Sequence, residues 1–340
     1  MKLYSNEIVF RGHPDKVCDQ ISDAILDECL KQDKLTRAGI EVMGGKGKIF
    51  ITGEITTKAK INVTEITKRV LSDVGYDTDY EVVDNLGKQS PDIALGTNED
   101  VLGAGDNGMM FGYACRETNK YLPKAMVILQ ELSEAYDKLR LSDSRYLPDG
   151  KAQITGYYED NKLVKIKTFT VCYQNTEENR KSTDRKLIQI IEDICKKYDV
   201  LVEEYLINPT GKFLIGGFLG DAGLTGRKIV VDSYQSFANV GGGAFSGKDP
   251  TKVDRSGAYK AREIAKDILV NNSEYEWCSV QLSYAIGIEE PLAIYIKTDK
   301  GDIEVSRELY QECRPRNIIK DLDLRNICYE EKARFGHFKN

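Results

Sequence analysis

Histidine is nearly absent from this sequence, which contains only His13 and His337. A zinc site with several histidine ligands is therefore excluded, and a histidine-dependent catalytic triad has two candidates for its base. Eight cysteines are spread from Cys18 to Cys328 without a single C-x-x-C pair. This spacing indicates reduced, buried thiols and not a disulfide framework or a cysteine metal clamp.

Long apolar runs and an excess of positive charge are also missing. No run approaches the roughly 20 residues of a membrane helix, and the N-terminus has no signal-peptide pattern, so we expect a cytoplasmic protein without a membrane partner. Lys and Arg number 48 against 54 Asp and Glu, which gives a net charge of −6. This balance argues against a nucleic-acid partner but allows a local cationic pocket.

What the chain does contain is the composition of a soluble globular protein, with 340 residues, 41% of them hydrophobic and 30% charged. Helical and alternating apolar patterns follow one another in the same order three times. The predicted helices span 14–31, 61–74, 123–140, 180–197, 255–270 and 305–313, and the predicted strand regions span 38–57, 152–174 and 278–297. This order predicts an α+β fold of three similar subdomains, each a sheet with helices on one face. We place them at 1–98, 99–216 and 217–340, with strands exchanged between the segments.

The first candidate site is the pentapeptide Gly12-His13-Pro14-Asp15-Lys16. Pro14 suits the first position of a helix, which leaves His13 at the cap and Asp15 and Lys16 in the first turn. A helix start offers free N–H groups and partial positive charge to an anion. The segment could therefore serve phosphate and a metal, and an ordinary helix start is the alternative.

The second candidate is the loop Gly103–Gly108, which fits the pattern G-x-G-x-x-G. The residues before it make a poor strand, so the context of a dinucleotide-binding fingerprint fails. Asp106 is the chemically interesting member, because a carboxylate in a glycine-rich loop can approach a ligand amine closely. A plain turn is the alternative.

The third candidate is the glycine-rich stretch Gly242–Pro250, which has the spacing of a phosphate loop but Asp249 where Ser or Thr would hold the metal. We reject a Walker-type NTPase, although glycine N–H groups and a lysine can still wrap phosphates. Carboxylates suited to Mg²⁺ and cations suited to phosphate surround these glycines, and a solvated loop is the alternative. They are Asp15, Asp221 and Asp254, and Lys16, Arg227, Lys228, Lys248 and Lys252. The predicted substrate is a polyphosphate, and a nucleoside triphosphate is favoured.

Together with Gly53–Thr57 and Gly87–Ile93, these segments resemble the S-adenosylmethionine synthetase (methionine adenosyltransferase) family along nearly the whole chain. The resemblance implies a two-stage reaction. The methionine sulfur attacks C5′ of ATP and expels triphosphate, which is then hydrolysed to diphosphate and phosphate. A thioether has no proton to lose, so the first stage needs no general base, in keeping with the scarcity of histidine.

The resemblance also implies roles for individual residues by motif position. His13 would stabilise the departing O5′, and the catalytic set would be His13, Lys151, Arg227, Lys248 and Lys252. The ATP site would comprise Lys16, Asp149, Phe213, Asp221, Arg227, Lys228, Ser246, Lys248, Lys252 and Ile286, and the methionine site Glu54, Gln89, Asp106 and Lys252. Two Mg²⁺ ions would bind at Asp15 and Asp254, and K⁺ at Glu41 and Ser246. A charge on an exposed strand is the alternative for Glu41.

The resemblance further implies three subdomains related by a pseudo-threefold axis and a homodimer that shares its active sites, with dimer or tetramer left open. Some positions depart from the family pattern. The lid loop at 94–102 is shortened, Asn107 replaces Gln, Val240 replaces His and Gln235 replaces Gly. Three other functions stay open from the residues: a phosphotransferase or NTPase using the same cations, a silent nucleotide-binding subunit, and a nucleic-acid binder, which the acidic pI disfavours.

Overall fold

The computed structural model describes residues 1–77, 79–90, 102–176 and 180–339. Its strands are β1 (Lys2–Val9), β2 (Arg37–Gly45), β3 (Lys48–Thr56), β4 (Glu81–Gly87), β5 (Gly108–Cys115), β6 (Tyr146–Glu159), β7 (Lys162–Asn175), β8 (Val202–Ile207), β9 (Gly223–Leu224), β10 (Trp277–Tyr284), β11 (Ala293–Thr298) and β12 (Gly301–Ile303). Its helices are α1 (Pro14–Gln32), α2 (Val63–Val74), α3 (Lys124–Ser142), α4 (Arg180–Lys197), α5 (Gly217–Gly220), α6 (Ile229–Asp232), α7 (Val253–Asn271), α8 (Arg307–Glu312), α9 (Pro315–Asp321) and α10 (Tyr329–Arg334).

Three four-stranded sheets organise the described residues. Their strand orders are β4-β3-β2-β9, β1-β6-β7-β8 and β12-β11-β10-β5. Helix α1 packs on the first sheet, α3 on the second and α7 on the third. The predicted α+β fold of three sheet-and-helix subdomains is therefore confirmed.

Each sheet takes one strand from a distant part of the chain. Strand β1 lies antiparallel to β6 in the second sheet, β5 lies antiparallel to β10 in the third, and β9 pairs with β2 in the first. Sheet membership therefore does not follow the order of the segments along the sequence. The boundaries 1–98, 99–216 and 217–340 remain a prediction.

Strand β2 is the element that joins the glycine-rich segments. Gly39 pairs with Glu54 of β3 and also forms an antiparallel bridge with Lys248. Further along the strand, Met43 pairs with Leu224 of β9. Segments far apart in sequence thus reach the two ends of one strand.

Two hydrophobic clusters form the core. One lies against the second sheet and the other is shared by the first and third sheets. On the outer face of the first sheet, by contrast, Met43, Phe50 and Leu224 are 47%, 39% and 36% exposed. Met43 pairs with both other residues, so these three side chains form one continuous apolar patch, which we call the β2 patch.

No helix in the described ranges is long and apolar enough to cross a membrane. The lid loop predicted at 94–102 lies outside the described residues except for Leu102, which is buried with a positive φ.

Candidate active site

His13 caps the N-terminus of α1, as the sequence predicts. Its Nδ1 accepts a hydrogen bond from the Asp15 backbone N–H at 3.2 Å, and Pro14 occupies the first turn. Because Nδ1 is the acceptor, the ring proton of the neutral imidazole is on Nε2. The cap therefore fixes the tautomer and leaves one N–H donor on the other side of the ring.

The imidazole is held in its neutral form. Burial and the neighbouring Lys228 charge lower the pKa of His13 to about 3, and the Asp15 carboxylate opposes this only in part. Lys151 on β6 adds a further repulsive charge. At neutral pH His13 is suited to donating a hydrogen bond and is not suited to delivering a proton.

Asp15 ties the start of α1 to the segment around β9. Its carboxylate accepts from Arg227 Nε at 2.9 Å and from the Leu224 N–H at 2.9 Å, and it forms an ion pair with Lys228. Burial would raise the pKa of this fully buried carboxyl, but the hydrogen bonds from Lys228 and Leu224 outweigh burial and lower it. One carboxylate therefore gathers two of the predicted phosphate-binding cations.

Lys16 is placed differently from its neighbours. Its side chain is 1% exposed, and its ammonium contacts Asp19 at 3.2 Å and Asp232 of α6. Burial alone would lower the pKa of Lys16, but these two carboxylates raise it. Its charge is thus balanced inside the protein, behind Asp15.

Asp149 and its neighbours extend this group. Asp149 accepts from the Gly217 N–H at 2.8 Å, and burial raises its pKa to about 6. Asp221 and Lys151 are both close enough to Asp149 to influence that pKa. The half-buried Phe213 lies near the end of β7, where its carbonyl oxygen accepts a hydrogen bond from the Asn175 N–H at 2.9 Å. We call the whole group the His13 cluster; its members are His13, Asp15, Lys16, Asp149, Lys151, Phe213, Asp221, Arg227 and Lys228.

A second group forms where α7 begins. Lys248 pairs with Asp254 at 2.6 Å, and Lys252 pairs with Glu54 of β3 at 2.9 Å. Burial raises the pKa of Asp254, Lys248 opposes this, and the nearby Asp106 carboxyl adds to the rise. The loop predicted around Asp106 therefore meets the phosphate-loop-like stretch.

Two further predicted residues, Gln89 and Ile286, adjoin this group. Gln89 follows β4, and its backbone N–H donates to Thr56 Oγ1 at 3.2 Å, while its buried side-chain Nε2 has no hydrogen-bond partner. The Ile286 N–H donates to Asn107 Oδ1 at 2.8 Å, beside Asp106. We call the group the Lys248 cluster; its members are Glu41, Glu54, Gln89, Asp106, Ser246, Lys248, Lys252, Asp254 and Ile286.

Glu41 and Ser246 belong to this cluster through strand register. Gly39 bridges Lys248 and the Ile40 N–H donates to Gly247 O at 3.0 Å, so continuing the antiparallel register sets Glu41 opposite Ser246. The Ser246 Oγ is buried without a hydrogen-bond partner. A buried orphan oxygen beside a carboxylate suits a cation, although the Glu41 side chain itself is exposed on the outer face of the sheet.

Divalent metal binding has to be judged from oxygen donors. No group of three or more His, Cys, Asp or Glu side chains that could hold a metal occurs within the described ranges. Mg²⁺, however, often takes only one or two protein carboxylates and fills its other positions with water and substrate phosphate. Asp15 and Asp254 are carboxylates of this kind, and each forms an ion pair with a lysine, Lys228 or Lys248.

The two clusters lie at opposite ends of β2. Glu54 pairs with Gly39, and Leu224, which contacts Asp15, pairs with Met43. At a rise of roughly 3.3 Å per residue, Gly39 and Met43 are about 13 Å apart along the strand. Among the described residues no ion pair joins the two clusters, so one chain presents two sets of predicted site residues with separate ion pairs.

The sequence interpretation identified Asp15 but missed the three buried acids that follow it on α1. Asp15, Asp19, Asp23 and Asp27 follow one another at four-residue spacing on α1, and all four are buried. Asp19 accepts from the Gly226 N–H at 2.9 Å, and Arg255 Nη2 of α7 donates to both carboxylate oxygens of Asp23, at 2.8 and 2.6 Å. Acids repeated every fourth residue share one helix face, which was the available signal.

Comparison with known proteins finds matches along nearly the whole chain. Family models for the N-terminal, central and C-terminal domains of S-adenosylmethionine synthetase match residues 1–91, 101–213 and 215–340. The chain is 43% identical to the S-adenosylmethionine synthase of Clostridium tetani (strain Massachusetts / E88), over 99% of this chain and 94% of that protein. The corresponding proteins of Trichormus variabilis and Brachyspira hyodysenteriae are 41% and 42% identical, each over 98% of this chain and over 91% and 92% of their own lengths.

Proposed function

The chain belongs to the S-adenosylmethionine synthetase family and is therefore a transferase, and from this premise we propose a two-stage reaction for it. The methionine sulfur forms a bond to C5′ of ATP while the C5′–O5′ bond breaks and its electron pair leaves with triphosphate. The products of this stage are a sulfonium and the intact triphosphate. Water then cleaves triphosphate to diphosphate and phosphate.

The first stage requires stabilisation of the leaving triphosphate oxygen. The sulfur lone pair attacks directly, so no base is required, but negative charge grows on O5′. The capped imidazole of His13 supports this stage because it is neutral, fixed in orientation and carries its proton on Nε2. We assign it the stabilisation of O5′ by a hydrogen bond.

Triphosphate binding is assigned to the cations of both clusters. Arg227, Lys228, Lys248 and Lys252 each face a carboxylate in the structure, at Asp15, Asp254 or Glu54. A bound polyphosphate would exchange these partners for phosphate oxygens, and Lys151 would add to the local positive potential. Lys16, whose charge is balanced by Asp19 and Asp232, is assigned to the ATP site by motif position only. Lys228, Lys248 and Lys252 are also the candidates for assisting triphosphate hydrolysis.

The metal ions would be held by the carboxylates left by that exchange. Asp15 and Asp254 would bind Mg²⁺, which when bound neutralises phosphate oxygens. Glu41 and the orphan Ser246 hydroxyl would hold K⁺.

Methionine would be recognised by the acids near β3 and by Gln89. Glu54 and Asp106 offer carboxylates to the amino group. The buried Gln89 Nε2, which lacks a partner in the structure, is a donor available to the methionine carboxylate. Asp149, Phe213 and Ile286 are assigned to the adenosine, and Asp221 to the phosphate side of the His13 cluster.

The observation that carries this proposal is the separation of the two clusters along β2. Both sets are needed around one triphosphate, and a two-fold axis through the sheet face would bring the His13 cluster of one protomer to the Lys248 cluster of its partner. The exposed β2 patch supports such an interface, since continuous exposed apolar surface marks association sites. The proposed active unit is accordingly a homodimer with two shared sites.

The experiment that tests the function uses the purified chain with ATP, L-methionine, Mg²⁺ and K⁺, and separates the products by charge. Adenosylmethionine together with equal amounts of diphosphate and phosphate is the expected result. Formation of ADP, or ATP consumption that does not depend on methionine, would contradict the proposal.

A further inference from the structure

A cavity of about 790 Å³ lies between α7 and the residues that follow α9, away from both clusters. Its lining includes Tyr259, Arg262 and Lys266 of α7, Lys332 of α10, and Lys339. No member of the His13 or Lys248 cluster lines it. Its volume falls in the range of sites for small organic ligands.

Lys332 is the central feature of this cavity. Burial and the nearby Arg255 charge lower the pKa of its ammonium. Within the described ranges it has no hydrogen bond or ion pair, and its Nζ lies 5.6 Å from the centre of the Tyr259 ring. A partly buried ammonium with an aromatic ring but no anion beside it is electrostatically incomplete.

Two other cations on the wall have partners in the structure, but burial lowers the pKa of each. The buried Arg262 guanidinium donates only to backbone carbonyls, its Nε has no partner, and burial lowers its pKa. Lys339 pairs with Glu134 at 3.3 Å, yet burial and its cationic neighbours, Lys332 among them, still lower its pKa.

The carboxylates that line the cavity do not form an ion pair with the Lys332 ammonium. Glu263 is paired with Lys260 at 2.6 Å, and Glu331 is exposed. No ion pair to Lys332 is formed by Glu263, Asp267 or Glu331 in the described structure. The cavity therefore contains a half-buried ammonium without a protein counter-ion, which an external anion would neutralise.

The remaining wall is apolar and aromatic. Leu322, Leu324, Ile327 and Phe338 line it together with Tyr259. An inorganic anion would leave this wall exposed to water, because 790 Å³ far exceeds the volume of such an ion. A ligand with a flat apolar body and one anionic group can contact the apolar wall with its body and Lys332 with its anionic group.

We propose that this cavity binds an aromatic organic anion, with its carboxylate, sulfonate or phosphate group at Lys332 and its ring against the apolar wall. The wall is continuous with the protein interior, because the His337 N–H donates to Asp232 O at 2.9 Å and its Nδ1 lies 2.7 Å from the Tyr259 hydroxyl. Occupancy is therefore expected to stabilise residues 329–339.

The test is a fluorescence titration of the full chain with 8-anilinonaphthalene-1-sulfonate, an aromatic sulfonate. Saturable binding is expected, and Lys332→Gln should raise the dissociation constant by about tenfold, while Lys332→Arg should restore it. Lys196→Gln, which removes an exposed lysine at the end of α4, is the matched control and should leave binding unchanged. Hydrogen exchange on the unmodified protein should show slower exchange at 329–339 when the probe is bound, which makes the test independent of how the variants fold.

Two results would overturn the inference. One is equal affinity of the probe for the wild type and Lys332→Gln with no protection of 329–339. The other is complete displacement of the probe by tripolyphosphate, which would place it among the cations assigned to the substrate. Neither result bears on whether the protein forms adenosylmethionine, so the two proposals can fail separately.

Discussion

At the scale of single residues, the buried carboxylates of α1 and their hydrogen-bond partners position the side chains of the candidate site. The acids of α1 accept hydrogen bonds from segments as distant as Gly226, Arg255 and Tyr329, so each of these buried carboxylates has hydrogen-bond donors. The residue types of the site could be predicted from the sequence, because glycine-rich motifs with interleaved Lys and Asp indicate phosphate chemistry. The internal pairing of Lys16 could not, since Asp232 is distant in sequence and is brought to it by the fold.

The His13 ring is expected to stay neutral well below the pH at which a free histidine takes up a proton. Its pKa in the folded protein, about 3, is below the ordinary 6.5, so the fold favours the neutral ring. The stability this contributes is complete above pH 6.5 and is lost as the pH falls from 6.5 toward 3. Nitrogen-15 spectra of histidine-labelled protein with EDTA should show a neutral Nε2–H ring at position 13 from pH 8 to pH 5. Titration of that ring near pH 6.5 would contradict the cap geometry, and the spectrum of His13→Ala assigns the signals.

A second prediction concerns the leaving-group role of His13. His13→Ala should lower the rate of adenosylmethionine formation by roughly a hundredfold or more, the size expected for one lost hydrogen bond to a developing oxyanion. ATP affinity, measured by calorimetry, should change little, because the phosphate-binding cations stay in place. His13→Asn keeps a side-chain N–H donor and should retain more activity than the alanine variant. Turnover of His13→Ala within a few-fold of the wild type would rule out the role.

Periodicity made the long helices predictable at the scale of elements. The predicted helices 14–31, 123–140 and 255–270 correspond to Pro14–Gln32, Lys124–Ser142 and Val253–Asn271. Strands β1, β5 and β9 were not predicted. Their partners lie in other segments of the chain, and β9 has two residues, too few for any alternation to be visible.

The contact between β2 and the glycine-rich stretch is tested at Gly247. This residue has a φ of +83°, and an added Cβ would lie 2.0 Å from the Ile40 carbonyl oxygen. Gly247→Ala should therefore lower the free energy of unfolding by about 2 kcal/mol or more, and it should displace Lys248. The matched control is Gly242→Ala in the same stretch, where an added Cβ meets nothing within 4 Å. Urea denaturation measures both, and equal stabilities would show that the close approach to β2 is wrong.

At the scale of the whole molecule, the outer face of the first sheet is the surface that we propose for association between protomers. The β2 patch is exposed between the two clusters, where an interface would both cover it and complete the sites. The sequence alone could not locate this patch, because the exposure of Met43 and Phe50 depends on which face of the sheet α1 covers. The family resemblance supplied the expectation of a dimer, and the exposed β2 patch is the surface that we propose for it.

Replacement of one residue in this patch is the test of the interface. Phe50→Glu should convert the protein to a monomer and abolish adenosylmethionine formation while leaving its circular dichroism spectrum unchanged, because charge in an apolar interface is costly. Leu141→Glu, at an exposed position at the end of α3, is the control and should remain dimeric and active. Light scattering coupled to gel filtration gives the mass. A Phe50→Glu protein that is dimeric and active would exclude this face as the interface.

The central claim, that each active site combines the His13 cluster of one protomer with the Lys248 cluster of its partner, is tested most directly by mixing two inactive variants. His13→Ala and Lys248→Ala are each expected to be inactive alone. After denaturation and refolding together, half of the dimers should contain one chain of each kind, and one of their two sites should carry no substitution. Recovery of about a quarter of the wild-type rate of adenosylmethionine formation is expected. No recovery above the separate variants, with mixed dimers demonstrated by mass spectrometry, would contradict it.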